Sequence, residues 1–182
     1  GRTTNALPRR FARWACLAVL SAAMLPGKAP AGMRENFESP EVSWAFAASD
    51  AAHRVQVHER LQEQAHWGHG CEHLRIATGP GTHLYFSHEI GRPRVIEELQ
   101  ASLWVKGDRP GAQLMARVVF PRAVDSRTKQ PVTALVTGST YNSPGAWQRL
   151  TIENIPALVE EQARVLRLQL GRNVDPREAY LD

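Results

Sequence analysis

The feature that most constrains the fold of this chain is a long alternation of residue types over residues 95–122. Val95, Leu103 and Val105 fall on one face of the first half, and Leu114 and Phe120 fall on one face of the second. Alternation with a period of two over such a length indicates strands with one buried face. The linking sequence GDRPG, residues 107–111, is typical of a tight turn. We therefore predict a long β-hairpin here, at the centre of an antiparallel sheet.

Shorter alternating stretches, separated by Gly, Pro and polar residues, predict further strands. They begin near residues 37, 51, 71, 82, 132, 147 and 164. For residues 59–65 a helix is an alternative to the strand. Residues 155–163 are compatible with either a short helix or a loop. From residue 164 the sequence RVLRLQLG predicts a strand with Leu166, Leu168 and Leu170 facing inward. Eight or nine strands with little helix predict an all-β sandwich or barrel.

The first 31 residues have the three parts of a secretory signal peptide. Arg9, Arg10 and Arg13 form a basic region, the apolar run WACLAVLSAAML follows over residues 14–25, and residues 29–31 read Ala-Pro-Ala, a small-x-small cleavage motif. The run is shorter than the about 20 residues of a membrane-spanning helix. We predict residues 1–31 as a signal peptide and residues 32–182 as a domain that is secreted, periplasmic or on the cell surface. An uncleaved N-terminal anchor is the alternative.

Removing this leader changes the charge balance of the chain. Five of the 22 basic residues and none of the 18 acidic residues lie in residues 1–31, which leaves 17 basic against 18 acidic side chains. The basic surplus of nucleic-acid-binding proteins is then gone, so we expect no nucleic-acid partner. Cys71 is the one cysteine of residues 32–182. It cannot form an internal disulfide there, and we expect it to be buried.

Four motifs occur in order along the predicted domain: FESPEVSW at residues 37–44, HWG at 66–68 leading to LRI at 74–76, LQASLWVK at 99–106 and GAWQRL at 145–150. In these motifs residues 35–182 resemble the galactose-binding-like jelly rolls, which include carbohydrate-binding modules of bacterial secreted proteins. The resemblance implies an antiparallel jelly-roll β-sandwich of about eight or nine strands. Such domains usually end in a strand rich in Asp and apolar residues. This sequence reaches Asp182 without such a strand, so either the module lacks its last strand or that strand differs. The resemblance implies an accessory module that precedes further domains of the same polypeptide.

The face opposite the predicted core supplies a candidate ligand site. A sugar site combines an aromatic ring, which stacks on the C–H face of the sugar, with planar polar groups that bond its hydroxyls. If the strands share a sheet, one face gathers such side chains. The predicted ligand-binding residues are Glu98, Gln100, Trp104, Gln113, Arg117 and Arg149. The alternative is a face covered by a loop or by another domain, with Arg117 paired to Glu98.

Metal chemistry has little support in the sequence. His66, His69 and His73 lie within eight residues, but their spacing matches no familiar zinc motif, so we predict no zinc site. The family resemblance does imply that a structural Ca²⁺ near the first strands is possible. Glu38, Glu41 and Asp182 are the conceivable ligands.

The sequence contains no familiar catalytic motif either. Glu97 and Glu98 are adjacent, so on a strand they point to opposite faces and cannot act as an acid and base pair. No G-x-S-x-G motif occurs, and GPG at residues 79–81 has no following helix that would make it a phosphate loop. We predict a secreted, non-catalytic module that binds carbohydrate or polysaccharide. The alternatives are a structural or domain-interaction β-sandwich without a small ligand, and a glycan-active enzyme.

Overall fold

The computed structural model describes residues 33–182 in full and residues 12–21 as a backbone strand. The basic residues Arg9 and Arg10 and the cleavage motif at residues 29–31 lie outside the described residues. The described part consists mainly of strands, with one helix, which agrees with the predicted all-β class. The elements are β1 (Ala12–Ser21), β2 (Arg34–Glu35), β3 (Ala45–Ser49), β4 (His53–Leu61), β5 (Cys71–Thr78), β6 (Leu84–Ser87), β7 (Ala101–Gly107), β8 (Gln113–Val124), β9 (Pro131–Thr140), β10 (Gln148–Ile152), α1 (Ile155–Leu170) and β11 (Tyr180–Leu181).

These strands form three sheets in which every pairing is antiparallel. The largest sheet has the order β10-β7-β1-β5-β4, with β2 paired to β1. The second has the order β11-β8-β9, and β3 pairs with β6 in the third. The predicted strands near residues 51, 71, 132 and 147 correspond to β4, β5, β9 and β10, because each carries a clear alternation.

The predicted hairpin over residues 95–122 is wrong. β7 begins only at Ala101 and pairs with β1 and β10, whereas β8 pairs with β9 and β11. The turn residues bond to Tyr141 instead: the Gly111 N–H donates to the Tyr141 carbonyl at 2.8 Å, and the Tyr141 N–H donates to the Ala112 carbonyl at 2.7 Å. Residues 108–112 therefore carry the chain from one sheet to another. Alternation predicts the buried face of a strand but does not identify its neighbour.

The buried faces of these two strands were nevertheless predicted correctly. Leu103 and Val105 of β7 and Val118 and Phe120 of β8 are all buried and belong to one core cluster. Buried residues of β9, β10 and α1 complete this cluster. The two strands thus contribute to the same core without pairing with each other.

The predicted strand from residue 164 is also wrong, because α1 runs from Ile155 to Leu170. Ile155, Val159 and Ala163 are its buried residues, and their spacing of four is that of one helix face. Pro156 stands in the first turn, and Gly171 ends the helix with φ of 61°. Proline is favoured in the first turn of a helix, and glycine is favoured just after its end. Leu168, predicted to face inward, is 86% exposed.

Substitutions on the two faces of α1 test this correction. We expect Val159→Ala to lower the free energy of unfolding by about 1–2 kcal/mol, since it removes buried methyl groups and leaves a cavity. Leu168→Ala should change it by less than about 0.5 kcal/mol, as is usual for an exposed site. Urea unfolding of both variants measures the difference. A larger loss for Leu168→Ala than for Val159→Ala would contradict the helix.

Candidate functional site

The six predicted ligand-binding residues do not share one face. Trp104 and Arg149 are direct partners across β7 and β10. Gln113 and Arg117 lie on β8, in a different sheet. Glu98 and Gln100 are exposed in the segment before β7, where residues 96–99 form a turn. The prediction assumed that β7 and β8 share one sheet. They lie in different sheets, so the six residues are separated.

Around Trp104 the structure forms an aromatic group with His66 and Trp147. The His66 ring stacks on Trp104 with 3.6 Å between ring centroids, and it meets Trp147 edge-on at 5.7 Å. Arg149 Nη2 donates to the Ser102 hydroxyl at 3.1 Å. One face of the Trp104 ring is therefore occupied by His66, which leaves less of it for a sugar than the sequence suggested.

The two predicted residues on β8 have different surroundings. Arg117 is exposed, and its Nη2 donates to the Asp182 carboxylate at 2.5 Å rather than pairing with Glu98. The Gln113 amide donates to the Gly138 carbonyl at 3.1 Å. Gln113 also lines a cleft, and it is the one member of the predicted set that does so among the described residues.

This cleft, of about 420 Å³, opens between the β5–β6 connection and the β7–β8 connection. Leu74, Ile76, Val105 and Met115 supply apolar wall. The remaining lining combines aromatic rings with polar and charged side chains, chiefly Thr82, His83, Tyr85, Asp108, Arg109, Gln113 and Tyr141. Its volume lies in the range of small-molecule sites, which are mostly apolar with a few placed polar groups. We refer to it as the 83–113 cleft.

One wall of the 83–113 cleft is held by Asp50. Its carboxylate accepts hydrogen bonds from the Thr82 hydroxyl at 2.5 Å, from the Thr82 N–H at 2.9 Å and from the His83 N–H at 3.0 Å. The Thr82 hydroxyl and these backbone groups lower the pKa of Asp50 to about 2. The connection that precedes β6 is thereby fixed against the one that precedes β4. It places His83 and Tyr85 at the cleft, where their rings stack at 4.8 Å.

Gly81 permits this close approach of the two connections. A Cβ at Gly81 would lie 2.3 Å from the Ala51 Cβ. That distance is far inside van der Waals contact, so only glycine fits without a shift. The GPG sequence predicted as a strand break thus has a second role in shaping the cleft wall.

The opposite wall is held by Tyr141, which is fully buried. Its hydroxyl lies 3.0 Å from the Gly107 carbonyl and 2.8 Å from the Ala146 carbonyl, and it is also within bonding distance of the Ser143 carbonyl. With the backbone bonds to residues 111 and 112, these contacts fix both ends of the segment that carries Asp108 and Arg109. The cleft is therefore built between two tethered connections.

A separate buried network surrounds Glu72 on β5. Its carboxylate accepts from the Ser43 N–H at 2.9 Å and the Trp44 N–H at 3.0 Å, and it lies 2.6 Å from His58 Nε2 and 3.2 Å from Arg60 Nη1. Burial acts to raise the pKa of Glu72, but the hydrogen bonds from Ser43, His58 and Trp44 and the charge of Arg60 outweigh it, so that the pKa is lowered. The network joins the segment before β3 to the large sheet.

A second exposed aromatic surface lies at Trp67, on the β4–β5 connection. Trp67 is exposed, and the Arg34 guanidinium lies 4.6 Å from its ring centroid. A hollow of about 270 Å³ beside it is lined by Arg34, Asn36, Glu38, Trp67 and Gly68. The Arg34 guanidinium therefore covers one face of the Trp67 indole.

The described residues contain no group of three or more His, Cys, Asp or Glu side chains arranged to hold a metal ion. The three conceivable Ca²⁺ ligands have protein partners instead. Glu38 accepts from the His69 N–H at 2.8 Å, Glu41 accepts from the Ser39 hydroxyl, and Asp182 pairs with Arg117. Their positions therefore do not fit the calcium site that the family resemblance implies.

In the part of the chain that the structure describes, no helix combines the length and the hydrophobicity needed to cross a bilayer. Cys71 is fully buried, as expected from the sequence.

The main residues of the cleft were missed at the sequence level. Tyr85, His83 and Arg109 were not singled out, although the turns GPG and GDRPG, which border the cleft, were recognised. Loops on a rigid scaffold frequently carry binding residues, so this signal was present in the sequence. The sequence did not show that the two turns lie close together in space.

Comparison of the chain with protein-family models, with curated proteins and with solved structures finds no match.

The Glu72 network leads to a prediction about acid stability. Glu72→Gln should lower the free energy of unfolding at pH 7 by about 3 kcal/mol, because His58 and Arg60 lose a buried charged partner. In the wild type the lowered pKa stabilises the fold above the ordinary value of 4.5, and this stabilisation is lost as the pH falls below that value towards the folded pKa. The variant should therefore lose less stability than the wild type over about pH 5 to 3.

Urea unfolding at several pH values measures this dependence. Glu63→Gln, which changes an exposed residue on the β4–β5 connection, is the matched control and should follow the wild type. An acid dependence of Glu72→Gln that equals that of the wild type would contradict the assignment.

Proposed function

We propose that this chain is a secreted, non-catalytic jelly-roll module that binds carbohydrate in the 83–113 cleft, as an accessory domain of a larger exported protein. The observation that carries the proposal is the composition of the cleft. It combines the stacked His83–Tyr85 rings with the guanidinium of Arg109 and the amide of Gln113 over an apolar wall. Sugars present both apolar C–H faces and hydroxyl groups, and this mixture serves both.

The architecture supports the jelly-roll part of the proposal. Buried residues of the large sheet and of the β11-β8-β9 sheet form one core cluster, as in two sheets that pack face to face. The crossover from β7 to β8 is a connection between sheets, as jelly rolls require. Export is supported by the basic, apolar and small-residue parts of residues 1–31.

The carboxylates of the cleft favour binding over catalysis. Asp108 is the one acidic residue among the described residues that line it. Glycosidases use a pair of carboxyl groups about 5–10 Å apart. Asp50 lies behind the wall and is committed to Thr82 and His83. A binding role therefore needs fewer assumptions than a hydrolytic one.

A second candidate function is attachment to another protein domain. Phe46 on β3 is 47% exposed and Val55 on β4 is 38% exposed. Phe46 also stacks on the His53 ring at 4.5 Å, which joins the two strands into one apolar surface. Exposed apolar surface of this kind favours a protein partner. It lies on residues that do not line the 83–113 cleft.

Binding to a glycan array tests the proposal. We expect the wild type to retain a defined glycan class, and Tyr85→Ala and Gln113→Ala each to weaken binding by about tenfold or more, since each removes about 1.4 kcal/mol or more of stacking or hydrogen bonding. Arg117→Ala, away from the cleft, and Phe46→Ala, on the apolar surface, should bind as the wild type does. Circular dichroism checks that every variant is folded.

The other outcomes separate the candidates. Loss of binding in a Trp104→Ala, Arg117→Ala double variant with normal binding in Tyr85→Ala would return the site to the face around Trp104. Absence of any glycan binding by the folded wild type would overturn the carbohydrate proposal and favour the domain-interaction function.

A further inference from the structure

Strand β1 lies inside the large sheet, between β5 and β7. Its residues Ala15, Cys16 and Leu17 are paired on both sides at once: Ala15 with Leu74 and Gly107, and Leu17 with Glu72 and Val105. The pairing with β5 extends from Ala12 to Leu17, and that with β7 from Ala15 to Leu20. β1 thus supplies backbone partners to two strands. We call its position between β5 and β7 the strand slot.

β5 and β7 do not pair with each other. Both are antiparallel to β1 and are therefore parallel to one another, separated by β1 in the strand order. Two steps of strand spacing, each about 4.8 Å, place them about 10 Å apart. That distance is too long for a hydrogen bond, so removing β1 would expose two facing strand edges.

These edges lie in a buried part of the molecule. Cys71, Glu72 and Leu74 of β5 are buried, as are Leu103 and Val105 of β7. Unpaired backbone groups in such surroundings are costly, and an open strand edge is a ready template for another strand. An empty slot would therefore bind an added strand strongly.

The segment that fills the slot is also the one with the features of an export leader. The apolar run of residues 14–25 overlaps β1, Ala12–Ser21, over eight residues, 14–21. If this segment is cleaved off, the strand slot between β5 and β7 becomes empty. A cleaved leader is compatible with this sheet if another strand then pairs with β5 and β7.

We propose that the strand slot is an acceptor site for an extended segment of another polypeptide, which adds antiparallel to both β5 and β7 once residues 1–31 have been removed. The removal step rests on the proposed export, whereas removal by an added protease tests the slot separately from export. Carbohydrate binding in the 83–113 cleft is not required.

The two edges define the chemistry of the incoming segment. It must extend over at least about six residues without an interior proline, because its successive residues hydrogen-bond alternately to β5 and to β7. On the side of Leu74 and Val105 it must present apolar side chains to the core, and on the other side it lies beside Arg75 and Trp104. A segment in which apolar residues alternate with residues of any polarity fits both faces of the sheet.

The experiment uses the full chain with a protease recognition sequence inserted between Gly27 and Lys28. After folding and cleavage, a fluorescent peptide with the sequence of residues 12–21, carrying Cys16→Ser to prevent oxidation, is added. We expect it to replace the N-terminal piece and to bind saturably with one peptide per chain. Hydrogen exchange should show amides of β5 and β7 protected with the peptide and exposed after the N-terminal piece is stripped away.

Two proline peptides form a matched pair. Cys16→Pro alters a residue paired on both sides and should weaken binding about 100-fold, because it removes a bond and introduces a clash. Ala12→Pro alters the first residue of β1, paired only with Ala77, and should bind within about threefold of the parent peptide.

Each remaining outcome decides the proposal. Equal binding of the Cys16→Pro peptide would overturn strand addition. Failure of the labelled peptide to exchange, or β5 and β7 amides that stay protected in the stripped chain, would overturn an acceptor slot, since the piece is then permanent or the sheet has closed. If stripping causes precipitation, prevention by the parent peptide but not by the Cys16→Pro peptide supports the proposal, and precipitation with both overturns it.

Discussion

The backbone pairing of Tyr141 with residues 111 and 112 is the constraint on which the rest of the structure depends. It takes up hydrogen-bonding groups that would close a hairpin between β7 and β8, at 2.8 Å and 2.7 Å. The buried hydroxyl of Tyr141 also lies 3.0 Å from the Gly107 carbonyl, at the start of the same crossover. A buried polar group must find partners, so these bonds stabilise the crossover over the alternative hairpin. β7 and β8 consequently enter different sheets and enclose the core between them.

The 83–113 cleft is a consequence of this crossover. The segment after β7 stands opposite the connection before β6, and Asp50 fixes that connection through Thr82 and His83. Each wall is held by a polar residue that does not depend on a ligand. Such pre-organisation lowers the entropic cost of binding, because the walls need not be ordered when a ligand enters.

Strand β1 makes the N-terminal segment part of the large sheet. It is the one strand of the large sheet that connects the β10-β7 half to the β5-β4 half. Glu72, which anchors the segment before β3, lies on β5 beside it. An interior strand of this sheet is therefore formed by residues whose composition is also that of an export leader. Hydrogen bonding between strand backbones does not depend on that composition.

The alternation of the sequence was sufficient to determine the all-β class, most strand positions and the buried faces of β7 and β8, because burial of one face is a local pattern with period two. It did not determine partners, since strands that alternate alike can pair in many orders. It misled at α1, where Leu166, Leu168 and Leu170 also have even spacing, while the spacing of four at Ile155, Val159 and Ala163 matched the true core. The sequence alone singled out Gln113, for a different face, and not Tyr85, His83 or Arg109; the four line one cleft only in three dimensions. Only the tertiary structure decided the crossover, because the bonds of Tyr141 to residues 111 and 112 join positions about 30 residues apart.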